Sequence, residues 1–210
     1  MTTKKIKGRG RPRNFDIDQA IEIAVDLFHQ RGYDDVGVAE LSKSIGITAP
    51  SLYSAFGSKR SLFERALKRY VETRGGWLIT ALARKDTLEN KMTHFFLSAA
   101  EVYSTDDERC GCLVMDATRN CSDEKAKALT AEFQKVTWNL ICDRITTDAP
   151  ELSKPQLSAL TDYVMMILMG LSGRARDGLE TGSLKETADI AAAGFVQRLH
   201  SYQQTGKTLC

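Results

Sequence analysis

The stretch VAELSKSIGITAPSLYSAFGSK, Val38 to Lys59, reads as two short helices set across a sharp turn, with a third helix starting at its end. Val38, Leu41 and Ile45 recur at i, i+3 and i+7 and share one face of the first helix. Gly46 ends that helix, because a helix-to-helix turn needs a left-handed residue, and Ile47 fills the angle behind it. Thr48 suits an N-cap, and Pro50 in the first turn gives up no hydrogen bond that the second helix would have made.

The second helix has one large apolar anchor, Leu52, and a leading face of small or polar residues: Thr48, Ala49, Pro50, Ser51 and Ser54. Small side chains let a helix backbone come close to base edges in the major groove of double-stranded DNA, where each base pair shows its own donor and acceptor pattern. The Tyr53 hydroxyl and Lys59, at the head of the next helix, suit phosphate oxygens flanking the groove. A plain helical hairpin would need only the apolar spacing, whereas here turn, cap, small-residue face and phosphate-type donors agree.

Gly32-Tyr33, Val38 to Leu41, Gly46-Ile47, Pro50 to Tyr53, Phe56, Lys59 and Leu62-Phe63 together resemble the N-terminal DNA-binding domain of the tetracycline-repressor (TetR) family. That resemblance covers about the first third of the chain. It implies an all-α regulator, a homodimeric repressor of a palindromic operator, released when a small-molecule effector enters the C-terminal helical domain. Three positions depart from the family pattern. Gly37 stands where a Ser or Thr cap is usual, Ser42 where an Ala is usual, and Ala55 where many members carry a phosphate-contacting His, which leaves more of the backbone work to Tyr53 and Lys59.

Charge is divided along the chain. Residues 1–76 carry 14 Lys/Arg against 9 Asp/Glu, net +5, and residues 77–210 carry 15 against 18, net −3. A basic N-terminal part beside a mildly acidic remainder suits a protein of which one end meets phosphate. Charge marks a basic arm over residues 1–14, and the resemblance implies a helix-turn-helix domain over 15–76 and a helical ligand-binding and dimerisation domain over 77–210. Arg9, Arg11 and Arg13, separated by Gly10 and Pro12, have the form of a hook laid in an AT-rich minor groove, the alternative being a solvated tail. The longest apolar run, Val164 to Leu171, falls far short of the roughly 20 residues a membrane span needs, so a cytoplasmic protein is expected. Five cysteines, an odd number in a chain too large to need staples, read as reduced thiols.

Along the rest of the chain, helical stripes alternate with caps. Asp16 and Gln19 fit a capping box opening the first helix, which Gly32 ends, and His29 near its end reads as a surface or boundary residue. The helix from Ser58 or Lys59 runs to about Ile79 unless Gly75-Gly76 breaks it. Helices are then expected from Asp86 to about Tyr103, from about Cys112 to Asn120, from Ser122 to about Thr146, from Ser153, and from Ser183. The helix holding Tyr163 to Gly173 is apolar almost all round, and the last one carries Ile190, Ala193, Gly194, Phe195, Val196 and Leu199, so the pair resembles the family's four-helix dimer interface.

Phe96, Tyr103, Met115, Phe133, Trp138 and Met166 are candidates to line an effector pocket, against the commoner role of such residues in a filled core. Cys110 and Cys112 are candidate sensing thiols, since Gly111-Cys112-Leu113 resembles a string found in one TetR subgroup. Arg109, and a helix beginning near Cys112, would each favour thiolate. C-x-C is too weak a pattern for a metal site, and no metal or cofactor is expected. No phosphate loop, HExxH or nucleophile elbow appears, so the chain is read as a regulator rather than an enzyme. The competing readings are a thiol-based electrophile sensor and an architectural DNA-binding protein without effector.

Overall fold

A computed structural model describes residues 15–106 and 109–207. Among these residues the chain is all-α, without a strand, and forms α1 (Ile17–Arg31), α2 (Val38–Ile45), α3 (Ala49–Phe56), α4 (Lys59–Arg74), α5 (Gly76–Leu82), α6 (Leu88–Ser104), α7 (Leu113–Asp116), α8 (Glu124–Asp148), α9 (Lys154–Arg176) and α10 (Thr181–Lys207). No helix of the described residues is long and apolar enough to cross a membrane.

The caps follow the sequence. Asp16 accepts from the amides of Asp18 and Gln19, Thr48 from Ser51, Ser58 from Ser61, Thr87 from Asn90 and Asp123 from Lys125 and Ala126. Ser153 and Gln156 form a reciprocal capping box at the head of α9. Gly37 offers no side-chain bond to α2.

α1, α2, α3 and α4 close on Phe28, Leu41, Leu52, Leu62 and Phe63, all buried, with Phe28 edge-on to Phe63 at 5.0 Å. The first of the two options at Gly75-Gly76 does not occur: α4 stops at Arg74, and a separate α5 begins at Gly76. Adjacent glycines lose more backbone entropy in a helix than other residues, which favours a break at this pair. α7 is only four residues long, shorter than the helix expected from 112 to 120, and turns carry the chain on to Asp123. α6 packs along α10 and α9, and α8 crosses α9 and reaches α4.

Candidate nucleic-acid interface

α3 is held from below and bare above. Leu52 and Phe56 are buried, four residues apart on one face, while Thr48, Pro50, Ser51, Tyr53 and Ser54 are exposed and Ala49 is half-buried. Thr48 Oγ1 accepts from the Ser51 amide at 3.3 Å and also contacts the Ser51 hydroxyl at 2.9 Å, which fixes the leading turn. The turn before it depends on Gly46, whose φ of 77° and ψ of 30° lie in the left-handed region and whose amide bonds back to Lys43 O. Tyr53, 49% exposed, stands on the same outer surface. At the start of α4 the amides of Lys59 and Arg60 precede the one that Ser58 caps, so this helix end offers free N–H groups to a phosphate.

Lys59 itself is half-buried, its ammonium 4.2 Å from the centre of the Tyr33 ring. Burial pulls its pKa down against the opposing pull of Asp34. Arg60 faces Asp123 at 3.6 Å. Arg9, Arg11 and Arg13 lie outside the described residues.

The segment between α6 and α8 grips this unit from the other side. Tyr33 donates its amide to Ala117 O at 2.7 Å and its hydroxyl to Asp123 at 3.0 Å. Asp34 accepts from the amide and hydroxyl of Ser122 at 2.7 and 3.0 Å and from Cys121 Sγ at 3.1 Å. These bonds, the Ser122 amide first, hold its carboxyl below the usual range. Arg176, at the end of α9, donates Nη2 to His29 O at 2.6 Å and Nε to Asp116 at 3.2 Å, so it closes the last turn of α1.

His29 departs from the sequence expectation. It is 4% exposed, edge-on to Tyr70, with Nε2 3.1 Å from Gly111 O. Burial pushes its pKa down to about 4. A signal existed, since His29 follows buried Val25 by four residues on the inner face of α1.

The candidate pocket residues separate into three groups. Phe96, Tyr103 and Met115 are buried, with Phe96 edge-on to Tyr163 and Tyr103 edge-on to Trp77. Phe133 and Trp138 are half-buried, and the Trp138 indole donates to Asp162 at 2.7 Å, pinning α8 to α9. Met166 lies apart from both groups. It is 63% exposed and borders an open groove of about 460 Å³ between α9 and α10, because Val164, Met165 and Leu168 take the inward side of α9.

Cys110 is half-buried with Sγ 3.2 Å from Asp106 O, and Cys112 is buried. Burial pushes the Cys112 thiol up, opposite to the thiolate stabilisation expected from the neighbouring helix start. Arg109 is taken by Asp26 and Asp106 at 2.8 and 2.7 Å. Between the two cysteines Gly111 has φ +83°, and a Cβ there would lie 2.9 Å from Ser172 O, so only glycine lets this turn sit against α9. Among the described residues no group of three or more metal-ligating side chains comes together.

Comparison with known proteins agrees with this geometry. Residues 20–66 match the family model described as bacterial regulatory proteins, tetR family. The chain is 35% identical over 191 residues, 91% of its own length and 94% of the relative's, to the HTH-type transcriptional repressor BdcR of Escherichia coli K12. The chain belongs to the TetR family. It is also 27% identical to the repressor ComR of the same organism, over 87% of this chain and 90% of that one. A cysteine mutant of the TetR-family regulator CifR, solved with a 26-bp double-stranded operator, superposes with a TM-score of 0.78 at 27% identity, covering 87% of this chain and 98% of that one. As a TetR-family protein the chain is a DNA-binding transcriptional regulator.

Proposed function

We propose that the protein is a dimeric repressor that lays α3 in successive major grooves of a palindromic operator and is released by a small-molecule effector bound in the helical domain that begins after Gly76. The observation that carries this is α3 itself, where Leu52 and Phe56 fix its inner face while Thr48, Ala49, Pro50, Ser51 and Ser54 leave a low outer surface. On this reading Thr48, Ser51 and Ser54 meet base edges, and Tyr53 and the α4 N-terminus at Lys59 meet flanking phosphates. The basic arm with Arg9, Arg11 and Arg13 adds sequence-independent affinity.

Two recognition helices about 34–36 Å apart are needed to read adjacent half-sites. α9 and α10 supply the surface for pairing: Met166 and Ile190 are 63% and 67% exposed, and Gly170 and Ala193 are exposed on the same two helices. At Gly194 a Cβ would lie 2.9 Å from the Tyr163 hydroxyl, which reaches across from α9 and donates to Ala191 O at 2.9 Å. Effector and DNA then favour different spacings of the two α3 helices, and each weakens the other by the same factor.

A thiol-based variant of this reading rests on the position of the 110–112 turn, tied to α1 through His29 and to α9 through the Cys112 amide on Ser172 Oγ at 2.7 Å. An adduct on Cys110 would press on a turn that touches both. Selection of bound duplexes from random DNA, repeated with small molecules and electrophiles, tests both forms. A regulator yields a palindrome whose binding one compound weakens. Recovery of no preferred sequence would replace it with an architectural role, and loss of electrophile response in Cys110→Ser would identify the thiol.

A further inference from the structure

Residues 15–76, which hold α3 and the helices around it, carry 8 Lys/Arg against 9 Asp/Glu, so apart from the arm this unit brings no net positive charge to DNA. Half of those cations pair inside the unit: Arg31 with Glu40, Lys68 with Glu64, Arg69 with Asp18 and Arg74 with Asp26. Arg60 is paired differently. It is the second residue of α4, in the helix turn whose first amides are free, and its Nη1 lies 3.6 Å from Asp123 Oδ2. Asp123 is the N-cap of α8, so the carboxylate facing Arg60 comes from the helical body and not from the unit that holds α3.

Asp123 is firmly seated. Its Oδ1 accepts from the amides of Lys125 and Ala126 at 2.9 and 3.1 Å, and its Oδ2 from the Tyr33 hydroxyl at 3.0 Å. These bonds, the Ala126 amide first, hold the carboxyl below the usual range, so it is charged at neutral pH. The Tyr33 ring carries the Lys59 ammonium 4.2 Å from its centre, so the same bond braces the seat of a second cation of α4. The Arg60 side chain is 39% exposed and that of Asp123 30%, and an ion pair so open to solvent is weak enough for another anion to replace.

We propose that Asp123 is an autoinhibitory residue that withholds Arg60 from the DNA backbone, so that the position of the α8 head sets how many phosphates each protomer neutralises. Asp123 and a phosphate compete for one guanidinium. While Arg60 faces Asp123 it makes no phosphate contact, and once released it adds a charge-assisted contact beside the free amides of α4. Because the same carboxylate caps α8, a displacement of α8 against α4 is felt at Arg60 with no change inside α3. The inference rests on the reading that the α3 face and the head of α4 meet the duplex, and it needs neither a palindrome nor an effector.

The test follows binding of the full chain to a labelled random-sequence duplex of about 30 bp by fluorescence anisotropy, between about 50 and 200 mM KCl. Asp123→Asn keeps a side-chain oxygen to cap α8 and removes the charge facing Arg60. It is expected to bind about fivefold tighter at the lowest salt. The slope of log affinity against log salt steepens by about 0.9 per protomer, the signature of one further phosphate, so the gain falls below about twofold at the highest salt. Arg60→Gln is expected to abolish that gain in the Asp123→Asn background and to change the affinity of the wild type less than about twofold. A merely structural role for Asp123 would weaken binding or leave the slope unmoved. An unchanged slope in Asp123→Asn, a gain that survives Arg60→Gln, or an equal loss from Arg60→Gln in both backgrounds would overturn the proposal while leaving the DNA-facing reading intact. A wild type that binds no duplex at the lowest salt would overturn both.

Discussion

Replacing Arg176 by Met keeps the aliphatic stem and removes the guanidinium that joins α9 to α1. The lost contacts are Nε to Asp116 at 3.2 Å and Nη2 to His29 O at 2.6 Å. The Asp116 side chain is only 3% exposed, and stripping a buried ion pair of one partner costs about 3–5 kcal/mol. Here the cost is reduced, because Arg119 remains at 2.9 Å and the Ser172 hydroxyl still donates to the same carboxylate. The lost bond to His29 O adds about 1 kcal/mol, as it leaves a carbonyl in the last turn of α1 without its charged donor. The expected total is about 2–4 kcal/mol, read as a lower urea midpoint at unchanged slope. Asp116→Asn removes the charge that the loss exposes, so Arg176→Met in that background is expected to cost about 1–2 kcal/mol less than alone. Hydrogen exchange is expected to quicken in the last turn of α1 before it changes in α9. Strict additivity of the two substitutions, or a loss below about 0.5 kcal/mol, would show that Arg176 and Asp116 do not act as a pair.

Three further outcomes are expected. Gly37 has φ −83° and ψ 157°, an N-cap conformation, and nothing lies within 4 Å of an added Cβ, so Gly37→Ser is expected to stabilise the fold by about 0.5–1 kcal/mol in thermal melts. Ser42 is buried with an Oγ that has no partner among the described residues, so Ser42→Ala is expected to raise stability by about 1 kcal/mol, and a fall would reveal a bond to that hydroxyl. The folded pKa of His29, about 4, lies below the ordinary 6.5, so its contribution is complete above pH 6.5 and is lost as pH falls toward 4. That contribution is at most about 3 kcal/mol, and the carboxylates with lowered pKa begin to lose theirs only toward the bottom of that window. The urea midpoint of the wild type is therefore expected to fall relative to that of His29→Gln as pH drops from 6.5 to 4.5, and parallel curves would count against a buried neutral ring.

How far the sequence could be read depended on the range of the interactions. The helix-turn-helix was legible because each of its signals acts within a few residues: the i, i+3, i+7 spacing of Val38, Leu41 and Ile45, the left-handed Gly46, and the Thr48 cap on the Ser51 amide. The grip on that unit was not legible. Asp34 to Ser122, Tyr33 to Asp123 and Arg176 to His29 each join residues far apart in the chain, and an aspartate or arginine on its own reads as a solvated charge. His29 was misread for the same reason, since its acceptor, Gly111 O, is eighty-two residues away.

Met166 shows a different limit. Periodicity tells inside from outside only when a helix has a polar side, and α9 from Tyr163 to Gly173 has almost none. Its register was therefore open until the neighbours were known: α9 packs against α6 and α8 with Val164 and Leu168 buried, and Met166 is left exposed. The ambiguity is itself informative. A helix that needed only one buried face would lose nothing by carrying charge on the other, and large apolar side chains on that side raise the risk of association. That α9 keeps Met166 there, and that Ile190 on α10 is likewise exposed, argues for a second protein surface over these helices. In an isologous interface each side chain is buried twice, so Ile190→Asp would remove about 3–6 kcal/mol from one dimer before any charge penalty. Sedimentation equilibrium is expected to show the wild type as a dimer at micromolar concentration and Ile190→Asp as a monomer with an unchanged helical spectrum. A wild-type monomer would leave the apolar outer side of α9 unexplained and remove the geometric basis for reading two half-sites at once.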